Sequence, residues 1–190
     1  MKKGIIFLIL TGLTTFASAQ TITAGVKAGL QITNYTHTSN SKAALNWHAG
    51  GFGSYAFAPK WAAKAEVLLS AQGIKSENGK YADQVLYLNI PLLAVFEPTK
   101  NLNLEAGFQP GLLMSAKLKF LDEGGSSDRS DKYKGGDMSF IIGAGYRVMD
   151  ALTVSVRMNL GLSEFHEQAI DSRQRVFQVS AAYDLGKWGK

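Results

Sequence analysis

The sequence predicts an all-β chain that folds as an eight-stranded antiparallel up-and-down transmembrane β-barrel, preceded by a cleaved signal peptide. Three observations predict this fold. Eight runs alternate between apolar and small or polar residues, none of their charges falls in the apolar set, and long connections alternate with short ones. A period of two indicates strands, and runs of ten or more residues exceed the usual length of a soluble strand. A tilted strand of ~9–11 residues spans a bilayer.

The N-terminus has the features of an export signal. Two lysines precede a short apolar segment, and an Ala-Ser-Ala motif ending at Ala19 supplies the small residues that signal peptidase recognises. The apolar segment is shorter than the ~20 residues that a spanning helix needs. We therefore predict a signal peptide over residues 1–19, cleaved before Gln20, and a barrel domain over residues 20–190.

Composition excludes several classes of protein. The formal charge of +5 includes the two lysines of the predicted signal, and the remaining cations are scattered among acids, which argues against a nucleic-acid surface. The chain has no cysteine, and therefore no disulfide, thiol catalyst or cysteine-linked lipid. No second apolar stretch approaches the length of a spanning helix, so a membrane-embedded form must be a closed barrel.

The eight predicted strands follow one rule, in which alternate residues are apolar. They cover residues 22–31, 46–57, 61–72, 86–96, 104–115, 139–148, 152–162 and 177–185. The first sets Ile22, Val26 and Leu30 against Lys27 and Gln31. The second is rich in glycine in both sets and has the weakest pattern. The fourth and fifth flank a short turn that contains a proline and form a hairpin.

The charges decide which set faces outward. Every charge within the strands lies in the small and polar set: Lys27, Lys64, Glu66, Glu105, Arg147, Arg157 and Asp184. A soluble sandwich instead carries its charges on the face that meets water. We therefore predict that the apolar set meets lipid and the polar set lines the lumen, as in an outer-membrane barrel.

The connections support the same topology. Residues 32–44, 74–84, 117–137 and 163–174 form long polar connections, and residues 57–60, 97–101 and 149–150 form short ones. Long extracellular loops and short periplasmic turns are typical of outer-membrane barrels. Aromatic residues gather near the strand ends, as expected at headgroup depth: Trp47, Phe57, Trp61, Phe96 and Tyr183.

Inside the barrel we expect a polar network made of the inward charges and two amides. Its members are Lys27, Lys64, Glu66, Asn89, Glu105, Gln109, Arg147, Arg157 and Asp184. Asn89 and Gln109 are expected opposite each other across the hairpin. Because eight strands enclose a space that side chains can fill, we expect a plugged lumen.

Counting from the short turns assigns these charges to two depths. The first holds Lys27, Glu66 and Arg157, and the second holds Lys64, Glu105 and Asp184. Buried charges are tolerable only when they are paired and hydrogen-bonded. Each depth contains both signs, so the sequence predicts ion pairs across the lumen.

Several segments resemble one family of barrels. They are GVKAGL at 25–30, YLNIPLL at 87–93, GAGYRV at 143–148, RMNLGLS at 157–163 and VFQVSAAYDL at 176–185. The chain resembles the PorT-type outer-membrane β-barrel family, the outer membrane protein beta-barrel domain of the Bacteroidetes type. The resemblance implies an eight-stranded barrel in the outer membrane, and its name-giving member serves a protein secretion system. Residues 186–190 are expected to follow the last strand.

Three functions from different classes remain open. The first is a non-enzymatic barrel with a plugged lumen that anchors four extracellular loops or supports an outer-membrane assembly. The second is an accessory subunit of a protein secretion system. The third is a lipid-A-modifying enzyme that would use His48 with Ser54, which share a strand face.

We assign no catalytic residue, cofactor or metal site, since a hydrogen-bonded lumen histidine is the simpler interpretation of His48. The acids of the third long connection do not have the spacing of a calcium loop. Expected partners are outer-membrane lipid and other envelope or secretion proteins, without nucleic acid. We expect a monomeric barrel in the bacterial outer membrane.

Overall fold

A computed structural model of the chain describes residues 21–35, 41–76, 81–120, 125–128, 136–162 and 174–188. Eleven strands form one sheet: β1 Thr21–Tyr35, β2 Ser41–Ala58, β3 Trp61–Gln72, β4 Ile74–Ser76, β5 Tyr81–Asn89, β6 Leu92–Phe96, β7 Leu102–Phe120, β8 Ser126–Asp128, β9 Gly136–Met149, β10 Leu152–Gly161 and β11 Gln174–Trp188. Within the described ranges, no helix is long and apolar enough to cross a membrane.

The sheet closes into a ring of eight antiparallel barrel strands. Strand β1 pairs with both β2 and β11, which joins the two ends of the sheet. Strands β5 and β6 form one barrel strand interrupted at Ile90 and Pro91, while β4 and β8 are short additions at the end opposite the short turns. A closed sheet leaves no unpaired edge, which lipid would penalise. The predicted eight-stranded antiparallel barrel is confirmed, and the predicted signal peptide over residues 1–19 lies outside the described residues.

The predicted outward faces are also confirmed. On β1 the large apolar residues Ile22, Val26, Leu30 and Ile32 are about half exposed, while Lys27 and Gln31 between them are buried. Ten residue steps of ~3.3 Å, at a strand tilt near 40°, give an apolar band of about 25 Å. That height matches the band of an outer-membrane barrel.

The strands extend farther than the sequence predicts. Strand β2 begins at Ser41 and has 18 residues, and β7 reaches Phe120 and has 19. Much of the predicted connections 32–44 and 74–84 is therefore strand. Above the apolar band an outward residue need not be apolar, so the alternation fades although the backbone pairing continues.

A bulge in β7 changes which of its residues face the lumen. Leu86 pairs with Ser115, whereas Tyr87 pairs with Leu113, so β7 carries one extra residue at this point. The extra residue reverses the alternation beyond it. Ser115 therefore shares the face of outward Leu86, and the fully buried Ala116 takes the inward position. Alternation continued from inward Glu105 and Gln109 predicts that Ser115 points inward, and this prediction was wrong.

A second bulge changes the end of the chain. Strand β11 continues through Trp188, so the prediction that residues 186–188 follow the last strand was wrong. Ala24 pairs with Gly186 and Gly25 with Asp184, which leaves one residue of β11 unpaired. The shift places Trp188 opposite Ile22 on the outer face, where it is 56% exposed.

Substitution of Val156 tests the assignment of faces. Val156 is the middle outward residue of β10 and is 45% exposed. Val156→Arg is expected to lower the free energy of unfolding in lipid vesicles by ~2–4 kcal/mol, because it puts a charge at the centre of the apolar band. Asn101→Arg, in an exposed short turn, is the control and should change stability little. If the two variants lost the same stability, the assignment of the outward face would be wrong.

Candidate functional site

Five charged side chains meet inside the barrel, and we call them the charged cluster: Lys27, Lys64, Glu66, Glu105 and Arg157. They come from β1, β3, β7 and β10, where the strand alternation turns them inward. Four of the side chains are at most 2% exposed, and Lys64 is 17% exposed. The cluster therefore lies across the lumen, largely away from water.

Arg157 is the centre of the cluster. Its Nη1 and Nη2 donate hydrogen bonds to the two carboxylate oxygens of Glu66, each at 2.6 Å. Nη2 also donates to Glu105 Oε2 at 2.9 Å, and Nε donates to Glu105 Oε1. A guanidinium presents its N–H groups in a rigid fork that suits bidentate pairing with carboxylates. One arginine thus holds two buried carboxylates.

The two lysines flank this pairing. Lys27 Nζ lies 3.5 Å from Glu66 Oε1, and Lys64 Nζ lies 3.4 Å from Glu105 Oε2. These distances are at the long limit for a hydrogen bond. Lys64 Nζ also lies 5.7 Å from the centre of the Phe52 ring. The lysines therefore contribute mainly charge, and Arg157 fixes the geometry.

Gly143 leaves the space that Arg157 occupies. A Cβ atom at this position would lie 2.7 Å from Arg157 Cγ, 2.8 Å from the Val156 carbonyl oxygen and 3.1 Å from Glu105 Oε1. The backbone contact cannot be relieved by a side-chain rotation. The glycine therefore allows the arginine to cross the face of β9 and reach β7.

Gly143→Ala is expected to lower the free energy of unfolding by ~1–3 kcal/mol, because the methyl group overfills the lumen. Chemical unfolding in detergent micelles measures the change. Gly53→Ala is the matched control, since a Cβ atom there meets nothing within 4 Å. Equal stability of the two variants would contradict the packing described for Arg157.

Uncharged polar side chains form a second group in the lumen. Gln31 Nε2 donates to Ser70 Oγ at 2.8 Å, and Gln178 Nε2 donates to Gln31 Oε1 at 2.8 Å. Asn159 Nδ2 donates to Gln109 Oε1 at 3.4 Å. All these residues lie farther from the short turns than the cluster does, so side chains fill the lumen on the extracellular side of the cluster.

The other predicted network residues lie outside the cluster. Arg147 is 3.8 Å from Glu97 near the short turns, where both are partly exposed. Asp184 is 3.8 Å from Lys187 and does not join Lys64 and Glu105 at the predicted second depth. The bulge next to Asp184 shifts its strand out of the register that simple counting assumes.

Asn89 and Gln109 both lie in the lumen but not opposite each other. Asn89 pairs with Gly111, and Gln109 pairs with Ser139 on β9. The predicted pairing was therefore wrong by two residues along β7. Registers across a hairpin depend on the turn geometry, which strand alternation does not determine.

His48 and Ser54 cannot act together as a catalytic pair. They lie six residues apart on β2, which separates them by about 20 Å along an extended strand. His48 Nε2 instead shares a hydrogen bond of 2.8 Å with Ser180 Oγ, and both residues are buried.

The polar network of the lumen is larger than predicted. Buried polar residues outside the predicted network are Gln31, Thr33, His48, Ser70, Gln72, Ser139, Ser155, Asn159, Gln178 and Ser180. Their positions in the strand alternation were available in the sequence, but the prediction followed the charges. Apolar residues also point inward, including Leu68, Tyr87, Leu93 and Ile141.

Comparisons with known structures support the same architecture. Ail, the attachment invasion locus protein of Yersinia pestis, has a TM-score of 0.53 at 11% identity, covering 89% of this chain and 99% of that chain. Neisserial surface protein A (NspA) has a TM-score of 0.56 at 8% identity, covering 86% of this chain and 97% of that chain. At these identities the likeness shows the fold alone.

Family membership follows from the sequence itself. No curated protein matches the chain. The family model described as "Outer membrane protein beta-barrel domain" matches residues 17–167, which is most of the chain. Together with the closed eight-stranded ring and its apolar outer band, this match makes the chain a member of the outer membrane protein beta-barrel domain family, located in the bacterial outer membrane.

Proposed function

We propose that the protein is a non-enzymatic outer-membrane barrel with an occluded lumen, which holds its extracellular hairpins above the membrane as an anchoring or binding surface. The observation that carries this proposal is the bridge that Arg157 makes to Glu66 and Glu105 across the interior. An ion pathway along the barrel axis would have to break that bridge.

The positions of the cluster strands in the ring support the proposal of an occluded lumen. Counted around the barrel, β1, β3, β7 and β10 are the first, third, fifth and seventh barrel strands, so they lie a quarter-turn apart. Arg157 and Glu66 therefore come from opposite walls, and so do Lys27 and Glu105. Side chains from opposite walls can meet because eight strands enclose a narrow interior. The charged cluster thus braces the barrel across its full width.

The long strands support a role on the extracellular side. Strands β2 and β7 run beyond the apolar band, and the short β8 pairs with the outer part of β7. Backbone hydrogen bonds hold these hairpins upright, so they present side chains at a fixed height. Ail, which shares the fold, is named as an attachment invasion locus protein.

Planar-bilayer recording tests the occluded lumen. The folded protein, identified by its faster migration than the boiled form on a denaturing gel, is expected to show no steady conductance. A stable channel of porin size would contradict the proposal.

Mass spectrometry of lipid A tests the non-enzymatic part of the proposal. The spectrum is expected to be the same with and without the gene, and a changed spectrum would contradict the non-enzymatic assignment.

A second candidate is an accessory role in a protein secretion system, as in the PorT-type barrels. Its support is the ordered resemblance of five segments from GVKAGL at 25–30 to VFQVSAAYDL at 176–185. Crosslinking followed by affinity purification distinguishes the candidates. A secretion subunit should recover components of its machinery, whereas an independent anchoring barrel should not.

A further inference from the structure

A cavity of about 230 Å³ lies between the charged cluster and the short turns. We call it the vestibule. Its lining includes Pro59 and Glu97 from the short turns and Thr21 and Trp61 from the starts of β1 and β3, so it opens toward the periplasm. One water occupies about 30 Å³ of liquid, so the vestibule has room for a small ligand and several waters.

The vestibule is lined by many hydrogen-bond donors. They include the hydroxyl groups of Thr23, Ser54, Thr153 and Ser155 and the side-chain amide of Asn103. Lys27 and Lys64, with their partners Glu66 and Glu105, form part of its inner wall. This combination of neutral donors and ammonium groups is suited to an anion.

The charges of the site do not balance. Among the described residues, the cluster contains three cations, Lys27, Lys64 and Arg157, and two carboxylates, Glu66 and Glu105. The remaining charged residues of the vestibule wall form one pair between Arg147 and Glu97 and one between Lys187 and Asp184. With every group counted in its ionised form, one positive charge is left over in a largely buried site, where an uncompensated charge is unfavourable.

Lys64 is the cation best placed to meet a ligand. Its side chain is 17% exposed, whereas that of Lys27 is 2% exposed. An ammonium group has three donors, and the hydrogen bond from Lys64 Nζ to Glu105 is long, at 3.4 Å. Ser54 lies directly opposite Lys64 on the neighbouring strand and also lines the vestibule.

We propose that the vestibule binds a small free oxyanion of the sulfate or phosphate type from the periplasm. Lys64 supplies the main charge, and the surrounding hydroxyl and amide groups supply hydrogen bonds. The surplus positive charge of the cluster attracts the anion, and the hydroxyl and amide donors stabilise its remaining negative charge. The site lies apart from the extracellular hairpins and is independent of their proposed role.

Thermal unfolding of the folded protein in a zwitterionic detergent tests this site. Ionic strength is kept constant with chloride while sulfate or inorganic phosphate replaces it. The unfolding midpoint is expected to rise and then level off with oxyanion concentration, because a ligand that binds only the folded state stabilises it. Calorimetric titration should give the same affinity. An equal midpoint in sulfate, phosphate and chloride would overturn the proposal.

Two variants and a control identify the site. Lys64→Met removes the surplus charge and leaves two cations with two carboxylates, so it should fold but bind the oxyanion at least tenfold more weakly. Ser54→Asp places a carboxylate opposite Lys64 and should make the midpoint independent of oxyanion. Lys60→Met, in an exposed short turn outside the vestibule, should bind like the parent protein.

The outcomes that would overturn the assignment are distinct. Unchanged binding by both Lys64→Met and Ser54→Asp would remove the vestibule as the site. If Lys60→Met lost as much oxyanion affinity as Lys64→Met, the binding would be a general effect of surface charge. A shift produced by short-chain phosphatidylglycerol but not by inorganic phosphate would show a lipid headgroup in place of a free anion.

Discussion

Glu105→Gln is expected to lower the free energy of unfolding by about 3–5 kcal/mol, as for other buried ion pairs that lose one partner. Glu105 accepts hydrogen bonds from Arg157 and Lys64, and its side chain is 1% exposed. Its neutralisation leaves three cations with Glu66 alone. Chemical unfolding in detergent micelles, followed by gel mobility, measures the effect.

A second substitution separates charge from packing in this prediction. Glu105→Gln combined with Lys64→Met restores the original charge excess, so it should recover part of the lost stability. A double-mutant cycle gives the coupling between the two positions. Strictly additive effects would contradict an electrostatic interaction between them.

Arg157→Met is expected to lower the free energy of unfolding by about 3 kcal/mol, because both carboxylates lose their short hydrogen bonds. The remaining contacts from Lys27 and Lys64 are 3.5 and 3.4 Å long. The effect should be smaller than that of Glu105→Gln, since two cations then balance two carboxylates.

Arg147→Met is the matched control for this change. Arg147 lies on the neighbouring strand, but its pair with Glu97 is 3.8 Å long and its side chain is 31% exposed. Ion pairs of this kind contribute ~0–1 kcal/mol. If both variants lost the same stability, burial would not explain the importance of Arg157.

The outward and inward faces could be predicted from the sequence because alternation is a local property of a strand. Ile22, Lys27 and Val156 all lie on the expected sides. Alternation failed at Ser115 and at Trp188, where bulges insert an extra residue. A bulge is set by pairing with a distant strand, and neither position carries a local signal of it.

The contacts across the lumen were only partly predictable. Lys27, Glu66 and Arg157 were placed at one depth by counting from the turns, and the structure brings them into contact. Glu105 joins them, although counting put it at another depth. Contacts across a barrel depend on the stagger between strands, which accumulates around the ring and does not appear in any single strand.

The order of the cluster residues along the chain has a consequence for how the barrel assembles. Glu66 and Glu105 lie on the third and fifth barrel strands, whereas Arg157 lies on the seventh. A sheet that has formed without the seventh strand therefore exposes both carboxylates to water, without the group that holds them. The next strand, β11, pairs with β1 and closes the ring. The buried ion pairs and the closed wall thus both require strands that are distant in the chain, which favours cooperative assembly.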